Sequence, residues 1–202
     1  MKNLVLLLAL LLVNQSITFA QTAKDMFNSG FAKYNAKDYR GALEDYTKSL
    51  KLDPKSAAVY YNRGVVKARL EDYKGAIEDY TMAIKYDPKD VPSYNNRGVS
   101  KAVLGNFKSA IDDYNKAIAL NPKSIEAYYS RGYARDQLKD ERGAIEDYTK
   151  VLQLEPKYAE AYNGRGIAKY KNGDKKGACA DWAKAGELGF AGALQNIKAR
   201  CK

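Results

Sequence analysis

The sequence predicts an all-α solenoid of five helical hairpins closed by a short terminal helix. Three periodic observations carry that reading. Glycine recurs every 34 residues, at Gly30, Gly64, Gly98, Gly132 and Gly166. Twelve residues after each glycine stands an alanine (Ala42, Ala76, Ala110, Ala144, Ala178), and four further on an aromatic ring (Tyr46, Tyr80, Tyr114, Tyr148, Trp182). Proline closes the first four copies, at Pro54, Pro88, Pro122 and Pro156. With residues 23, 57, 91, 125 and 159 as position 1, the copies run 23–56, 57–90, 91–124, 125–158 and 159–192. Repetition at such a period marks units that cannot bury their apolar faces alone and do so by stacking.

The first twenty residues stand apart. Lys2 is followed by a ten-residue apolar run, Leu4 to Val13, and then by small residues at Thr18 and Ala20. This is the pattern of a secretory signal peptide over 1–20, cleaved between Ala20 and Gln21. A ten-residue helix is too short to span a hydrocarbon core of ~30 Å. No cysteine lies near the cleavage position for lipid attachment, and no later apolar run reaches spanning length. The expected localisation is therefore the periplasm or the extracellular space.

Within each copy over 21–192, a first helix is followed by a three-residue turn such as "LED" or "LGN", then by a second helix that stops before Asp-Pro or Asn-Pro. Proline cannot continue a helix and pushes its predecessor out of helical angles. Gly at position 8 and Ala at position 20 are small where the two helices must approach. Tyrosines at position 4 (Tyr60, Tyr94, Tyr128, Tyr162) and position 24 (Tyr46, Tyr80, Tyr114, Tyr148) are expected to fill the core beside them. In the fifth copy Phe190 stands where another proline would fall. Residues 193–202 then read as a capping helix, with Ala193, Leu194 and Ile197 on its apolar face.

This spacing resembles that of the tetratricopeptide repeat, over nearly all of the chain beyond residue 20. The resemblance implies a right-handed superhelical solenoid whose concave groove, lined by the first helices, binds a peptide or protein segment. At family groove positions this sequence has Phe27, Tyr61, Asn95, Tyr129 and Asn163 (position 5) and Phe31, Val65, Val99, Tyr133 and Ile167 (position 9). Position 12 adds Tyr34 and Tyr170, and position 13 adds Arg69 and Lys171. These rings either contact a ligand or pack between neighbouring first helices. Family members that hold acidic chaperone tails use Lys and Asn at positions 5 and 9, Asn at position 6 of the next copy, and Lys and Arg at positions 2 and 6 of the third. Here Asn62 matches, but Phe27, Phe31, Pro92 and Asn96 do not.

Charge is patterned as well. Arg stands at position 7 of four copies (Arg63, Arg97, Arg131, Arg165), where the family usually has an apolar residue, and Ser29 stands in the first. Position 23 is Asp throughout: Asp45, Asp79, Asp113, Asp147 and Asp181. The missing first Arg predicts an inter-repeat ladder, each Arg paired with the Asp of the preceding copy (Asp45 with Arg63, and so on). An anion site at the Arg row is the competing reading. Three acid-first pairs four residues apart, Glu44–Lys48, Asp112–Lys116 and Glu146–Lys150, predict a solvated helix face. A cation recurs at position 18 (Arg40, Lys74, Lys108, Arg142, Lys176), forming a basic edge that is either a solubilising ridge or a site for an acidic partner. Cys179 and Cys201 are the two cysteines of a chain expected to be exported, which favours an intramolecular disulfide over a buried thiol or an intermolecular bridge.

Function is bounded by what is missing. There is no histidine, which removes Ser-His and Cys-His catalysis and histidine metal ligation. Acid pairs such as Glu78-Asp79 recur as helix-face charge, so no catalytic set is indicated, and no cofactor. The formal charge of +10 favours acidic partners, but export argues against nucleic acid. The expected function is a non-enzymatic protein- or peptide-binding scaffold. The alternative is a binder of an acidic polymer or anionic surface through the basic edge.

Overall fold

The computed structural model describes residues 21–201. The segment 1–20 that reads as a signal peptide lies outside them. Every regular element among the described residues is a helix: α1 (21–35), α2 (Tyr39–Leu52), α3 (Ala57–Arg69), α4 (Tyr73–Tyr86), α5 (Val91–Val103), α6 (Phe107–Leu120), α7 (Ile125–Gln137), α8 (Glu141–Leu154), α9 (Ala159–Lys171), α10 (Lys175–Glu187) and α11 (Gly192–Arg200). The chain forms two compact units that divide between Ser93 and Tyr94. Ala42, Tyr46, Leu50, Val59 and Val66 form the core of the first. In the second, Ala144, Tyr148, Val151, Leu152, Ala161 and Ala168 form one cluster and Ala110, Tyr114 and Ala134 another.

Each hairpin closes by the same contact. The position-20 alanines and the rings of Tyr46, Tyr80, Tyr114, Tyr148 and Trp182 are all buried. A Cβ added at Gly98 would lie 2.6 Å from Cε1 of Tyr114, and one at Gly166 2.6 Å from Nε1 of Trp182. The glycine exists so that the ring can lie against bare backbone. Second helices end as the proline rule requires: Asp53, Asp87, Asn121 and Glu155 leave the helical region with ψ near +90° (89°, 91°, 93° and 89°).

Four second helices begin with the same cap. Asp38, Asp72, Asp140 and Asp174 accept hydrogen bonds from the backbone N–H of Gly41, Gly75, Gly143 and Gly177 at 2.8–3.0 Å. A Cβ at Gly41 would fall 2.2 Å from Oδ2 of Asp38, so this cap and this glycine come together. The third hairpin carries Ser109 in place of the glycine and Asn106 in place of Asp, and Asn106 makes no side-chain cap bond.

The inter-repeat ladder is not what forms. Arg63, Arg97, Arg131 and Arg165 each grip the Asp of their own hairpin, with Nη2 2.6–2.7 Å from the carboxylate of Asp79, Asp113, Asp147 and Asp181. The reason is orientation. Each guanidinium lies on the Tyr ring three residues before it, 5.4–5.7 Å from the centroid, and its fork therefore faces the second helix of the same hairpin. A second cation at position 11 completes the clamp: Lys67, Lys101, Arg135 and Lys169 reach the same carboxylates at 2.7–2.9 Å. In the first hairpin, Ser29 Oγ donates to Asp45 at 2.6 Å and Lys33 supplies the charge at 2.7 Å.

What does cross between hairpins is the remaining guanidinium nitrogen. Nη1 of Arg131 donates to Asn115 at 2.7 Å, and Nη1 of Arg165 to Thr149 at 3.2 Å, both at position 25 of the preceding hairpin. The first hairpin has no predecessor, and its serine suffices. The position-4 tyrosines line the edge of the core. Tyr60, Tyr94, Tyr128 and Tyr162 are half-buried and each carries a guanidinium, while Tyr60, Tyr128 and Tyr162 also pack against the buried clusters. The acid-first helix pairs do not close either: Lys48 turns to Asp45, at 3.6 Å, rather than to Glu44.

At the C-terminal end, α11 packs on α10. Ala193 is fully buried, whereas Leu194, expected on the same face, is 60% exposed. Cys179 of α10 and Cys201 after α11 form a disulfide, with Cα atoms 5.8 Å apart.

Candidate functional site

The sequence-predicted groove residues fall into three environments. In the first unit most are engaged by neighbours. Phe27 lies 5.8 Å from the ring of Tyr46, Tyr34 lies 5.7 Å from Tyr39, and Tyr61 lies 6.0 Å from Tyr80. Arg69 is hydrogen-bonded to the Tyr34 side chain, which raises its pKa further. Phe31 stands out, 49% exposed. In the second unit Asn163 and Tyr170 face the terminal helix: Asn163 Oδ1 accepts from Asn196 at 3.0 Å, and Arg200 lies over the Tyr170 ring at 5.5 Å. Asn95 is half-buried, and its Oδ1 has no hydrogen-bond partner.

Tyr129 and Tyr133 are brought together in a pocket of about 360 Å³. Its lining is Val99, Ala102 and Val103 of α5, Gly105 of the turn, Phe107 and Tyr114 of α6, and Tyr129, Ser130 and Tyr133 of α7. Not one lining side chain is charged. The nearby cations are committed elsewhere: Lys101 to Asp113, and Arg131 to Asp147 and Asn115. Val103 is 54% and Tyr133 47% exposed at the rim, with Phe107 edge-on to Tyr133 at 6.3 Å. Tyr129 is held against Tyr148 and Tyr158 (5.6 and 5.3 Å), and burial raises its pKa. Tyr114 is buried, which raises its pKa, while a hydrogen bond with Ser130 acts the other way. That pair is a polar point within an otherwise apolar cavity. A cavity of this kind, with few polar groups, suits an apolar side chain.

Sequence reasoning missed Ala102, Val103, Phe107 and Ser130. The available signal was the third copy's departure from its neighbours. Val103 stands where the other copies carry Asn35, Arg69, Gln137 and Lys171, and Asn106 and Ser109 replace the capped Asp and Gly.

The basic edge is exposed at all five positions, Arg40, Lys74, Lys108, Arg142 and Lys176. Four of these cations stand four residues before an acid on the same helix (Glu44, Glu78, Asp112, Glu146), so the edge carries mixed charge rather than a run of positive charge. Among the described residues no group of three or more His, Cys, Asp or Glu side chains could hold a metal ion. Nor is any described helix long and apolar enough to cross a membrane.

Tandem helical hairpins with an uncharged pocket on their first helices define a repeat scaffold suited to binding protein or peptide. The profile described as TPR repeat matches residues 30–71, 103–139 and 142–173, and that described as tetratricopeptide repeat matches residues 57–90. The chain belongs to the tetratricopeptide-repeat family. No curated protein matches its sequence. Among solved structures it is similar to a MamA protein, at 26% identity and a TM-score of 0.78, over 89% of this chain and 95% of that one. It is also similar to MamA from Desulfovibrio magneticus RS-1, at 22% identity and a TM-score of 0.79, over 83% and 94%. YrrB, described as a TPR protein with an unusual peptide-binding site, shares 23% identity at a TM-score of 0.76, over 86% and 90%.

Proposed function

We propose that the chain is a non-enzymatic scaffold acting outside the cytoplasm, and that it anchors a peptide or protein segment by an apolar side chain in the pocket of α5, α6 and α7. The observation that carries this reading is the uncharged lining with exposed Val103 and Tyr133 at its rim. A peptide-binding site described for YrrB, a protein of similar fold, supports it. Export rests on the sequence of residues 1–20 and on the disulfide-forming cysteine pair. The acidic-polymer alternative is weakened by the acids beside the edge cations.

The test is selection of peptides from a displayed library on the mature protein, followed by affinity measurements. Selected segments should carry a large apolar residue. They should lose about tenfold or more in affinity on Val103→Asp or Tyr133→Ala, with little change in melting temperature. Binding that survives both substitutions, but is abolished by neutralising Lys108, Arg142 and Lys176 at moderate salt, would install the polymer reading instead. For the compartment, chain recovered from an envelope fraction should begin at Gln21. Recovery of the intact chain in the cytoplasm only would overturn export.

A further inference from the structure

A second cavity lies at the C-terminal end, well away in sequence from the pocket above. It measures about 260 Å³ and is lined by Ile167, Tyr170 and Lys171 of α9, Trp182 of α10, and Asn196 and Arg200 of α11. Unlike the first, it is charged. Lys171 is already neutralised, its Nζ 2.8 Å from both oxygens of Asp136. Arg200 has no carboxylate partner among the described residues; its Nη1 donates instead to Asn196 Oδ1. Among the described residues, the charge of the cavity that lacks a carboxylate is therefore Arg200.

That guanidinium is positioned rather than loose. Its face lies over Tyr170 at 5.5 Å and over Trp182 at 5.8 Å. Asn196, which accepts from it, donates in turn to Asn163 at 3.0 Å. A guanidinium with its faces on rings still offers the N–H groups along its edge, and a planar carboxylate matches them in two parallel bonds. Ile167, Tyr170 and Trp182 would cover an apolar body beside that carboxylate. The volume falls below the usual range for drug-sized ligands, which sets the occupant's size as small.

The disulfide explains how Arg200 is held there. Cys201 directly follows Arg200, and Cys179 lies three residues before Trp182 on α10, so one covalent link fastens the cation to the helix whose ring it covers. We infer that this C-terminal cavity is a binding site for a monocarboxylate carried on a compact apolar body, with Arg200 as its charge partner and the Cys179–Cys201 bond as its anchor.

Trp182 is the only tryptophan of the chain and reports on the cavity directly. The mature, oxidised protein is titrated with 4-methylpentanoate, with its primary amide, and with acetyl-Gly-Leu bearing a free or an amidated terminus, following Trp182 emission. The acids should give saturable changes, and the amides should bind about tenfold more weakly or worse. Arg200→Gln should lose acid binding by a similar factor without loss of helix content. The double variant Cys179→Ser/Cys201→Ser should lose it as well. Binding of both acids marks the small acid as sufficient, and binding of the peptide acid alone makes a chain terminus the source. Equal affinity for acid and amide, unchanged binding in Arg200→Gln, or no binding by either acid up to about 10 mM overturns the site.

Discussion

At position 23 every hairpin carries Asp, and at position 11 every hairpin carries a cation. At position 13 the five carry Asn35, Arg69, Val103, Gln137 and Lys171. The first pair of positions forms an ion pair that ties each first helix to its second, and that pair recurs in all five hairpins. Position 13 faces outward from the first helices and differs in every copy. One feature is fixed by what each hairpin needs to close, and the other is free to follow a ligand. Uniformity along this chain therefore marks architecture, and irregularity accompanies the site: the third copy, which lacks the Asp–Gly cap and carries Val103, supplies much of the uncharged pocket's lining.

The clamp side of that comparison breaks hardest. Asp147 is buried and receives both Arg131 and Arg135, at 2.6 and 2.9 Å. Asp147→Ala takes the buried carboxylate from two partly buried guanidinium groups, leaving Arg131 only Asn115 and Arg135 only the Gly143 carbonyl and the exposed Asp140, and should cost about 3 kcal/mol of stability. A double-mutant cycle with Arg131→Ala should show strong coupling within the hairpin, and the Arg131–Asn115 cycle a weaker one. Equal coupling for the two pairs, measured by denaturant unfolding, would mean that the clamp is not the dominant contact of Arg131. Val103→Asp at the pocket should by contrast leave stability almost unchanged, since Val103 is 54% exposed.

The fold was legible because a 34-residue period is a long-range signal repeated five times, and the glycine–aromatic contact needs only residue size to be foreseen. The clamp partner was not. Arg63 stands 18 residues after Asp45 and 16 before Asp79, and sequence spacing alone does not rank those two. The choice is made by the Tyr60 ring beneath the guanidinium, which directs the fork. The same ring contact leaves Tyr60, Tyr94, Tyr128 and Tyr162 half-buried at the edge of the core rather than enclosed in it. Of the candidate site, Tyr129 and Tyr133 were legible from family positions. Phe107 and Ser130 were not, because they stand on α6 and α7 outside those positions.

A smaller effect tests whether the buried rings are equivalent. Tyr46 and Tyr114 hold the same position and are both buried. The Tyr46 hydroxyl has no hydrogen-bond partner, and burial pushes its pKa up to about 12. Tyr114 has Ser130. Tyr46→Phe should be neutral or stabilising by up to about 1 kcal/mol, and Tyr114→Phe destabilising by about 1 kcal/mol. The same neutral or stabilising result for both substitutions, read from melting temperatures, would show that the pocket's internal hydrogen bond adds nothing.

The turns offer a still smaller handle. Position 15 is left-handed in every hairpin, yet only Gly105 and Gly173 are glycines there; Lys37, Glu71 and Lys139 adopt φ of 63°, 63° and 61°. Each non-glycine residue carries a steric cost of roughly 1–2 kcal/mol in this conformation, partly offset by the flexibility that glycine adds to the unfolded chain. Lys139→Gly should therefore gain about 0.5 kcal/mol, and Gly105→Lys should lose as much or more.

The smallest expected effect is on pH dependence, and it separates the first hairpin's clamp from a neutral replacement. The hydrogen bond from Lys33, followed by that from Ser29, holds the Asp45 carboxyl below its ordinary value of 3.8. A carboxylate whose pKa is depressed on folding contributes stability that is fully present above the unfolded value and is lost as pH falls through the folded one. The cations that face Asp45 are Lys33 and Lys48, with side chains 39% and 57% exposed, so solvent and salt screen much of the attraction. Thermal midpoints of the wild type and of Asp45→Asn should differ most near pH 6 and converge as the pH drops through and below 3.8. The gap should also shrink with added salt. Parallel curves over that interval would mean that Asp45 contributes by shape alone, and that the serine-for-arginine exchange in the first hairpin leaves no working ion pair.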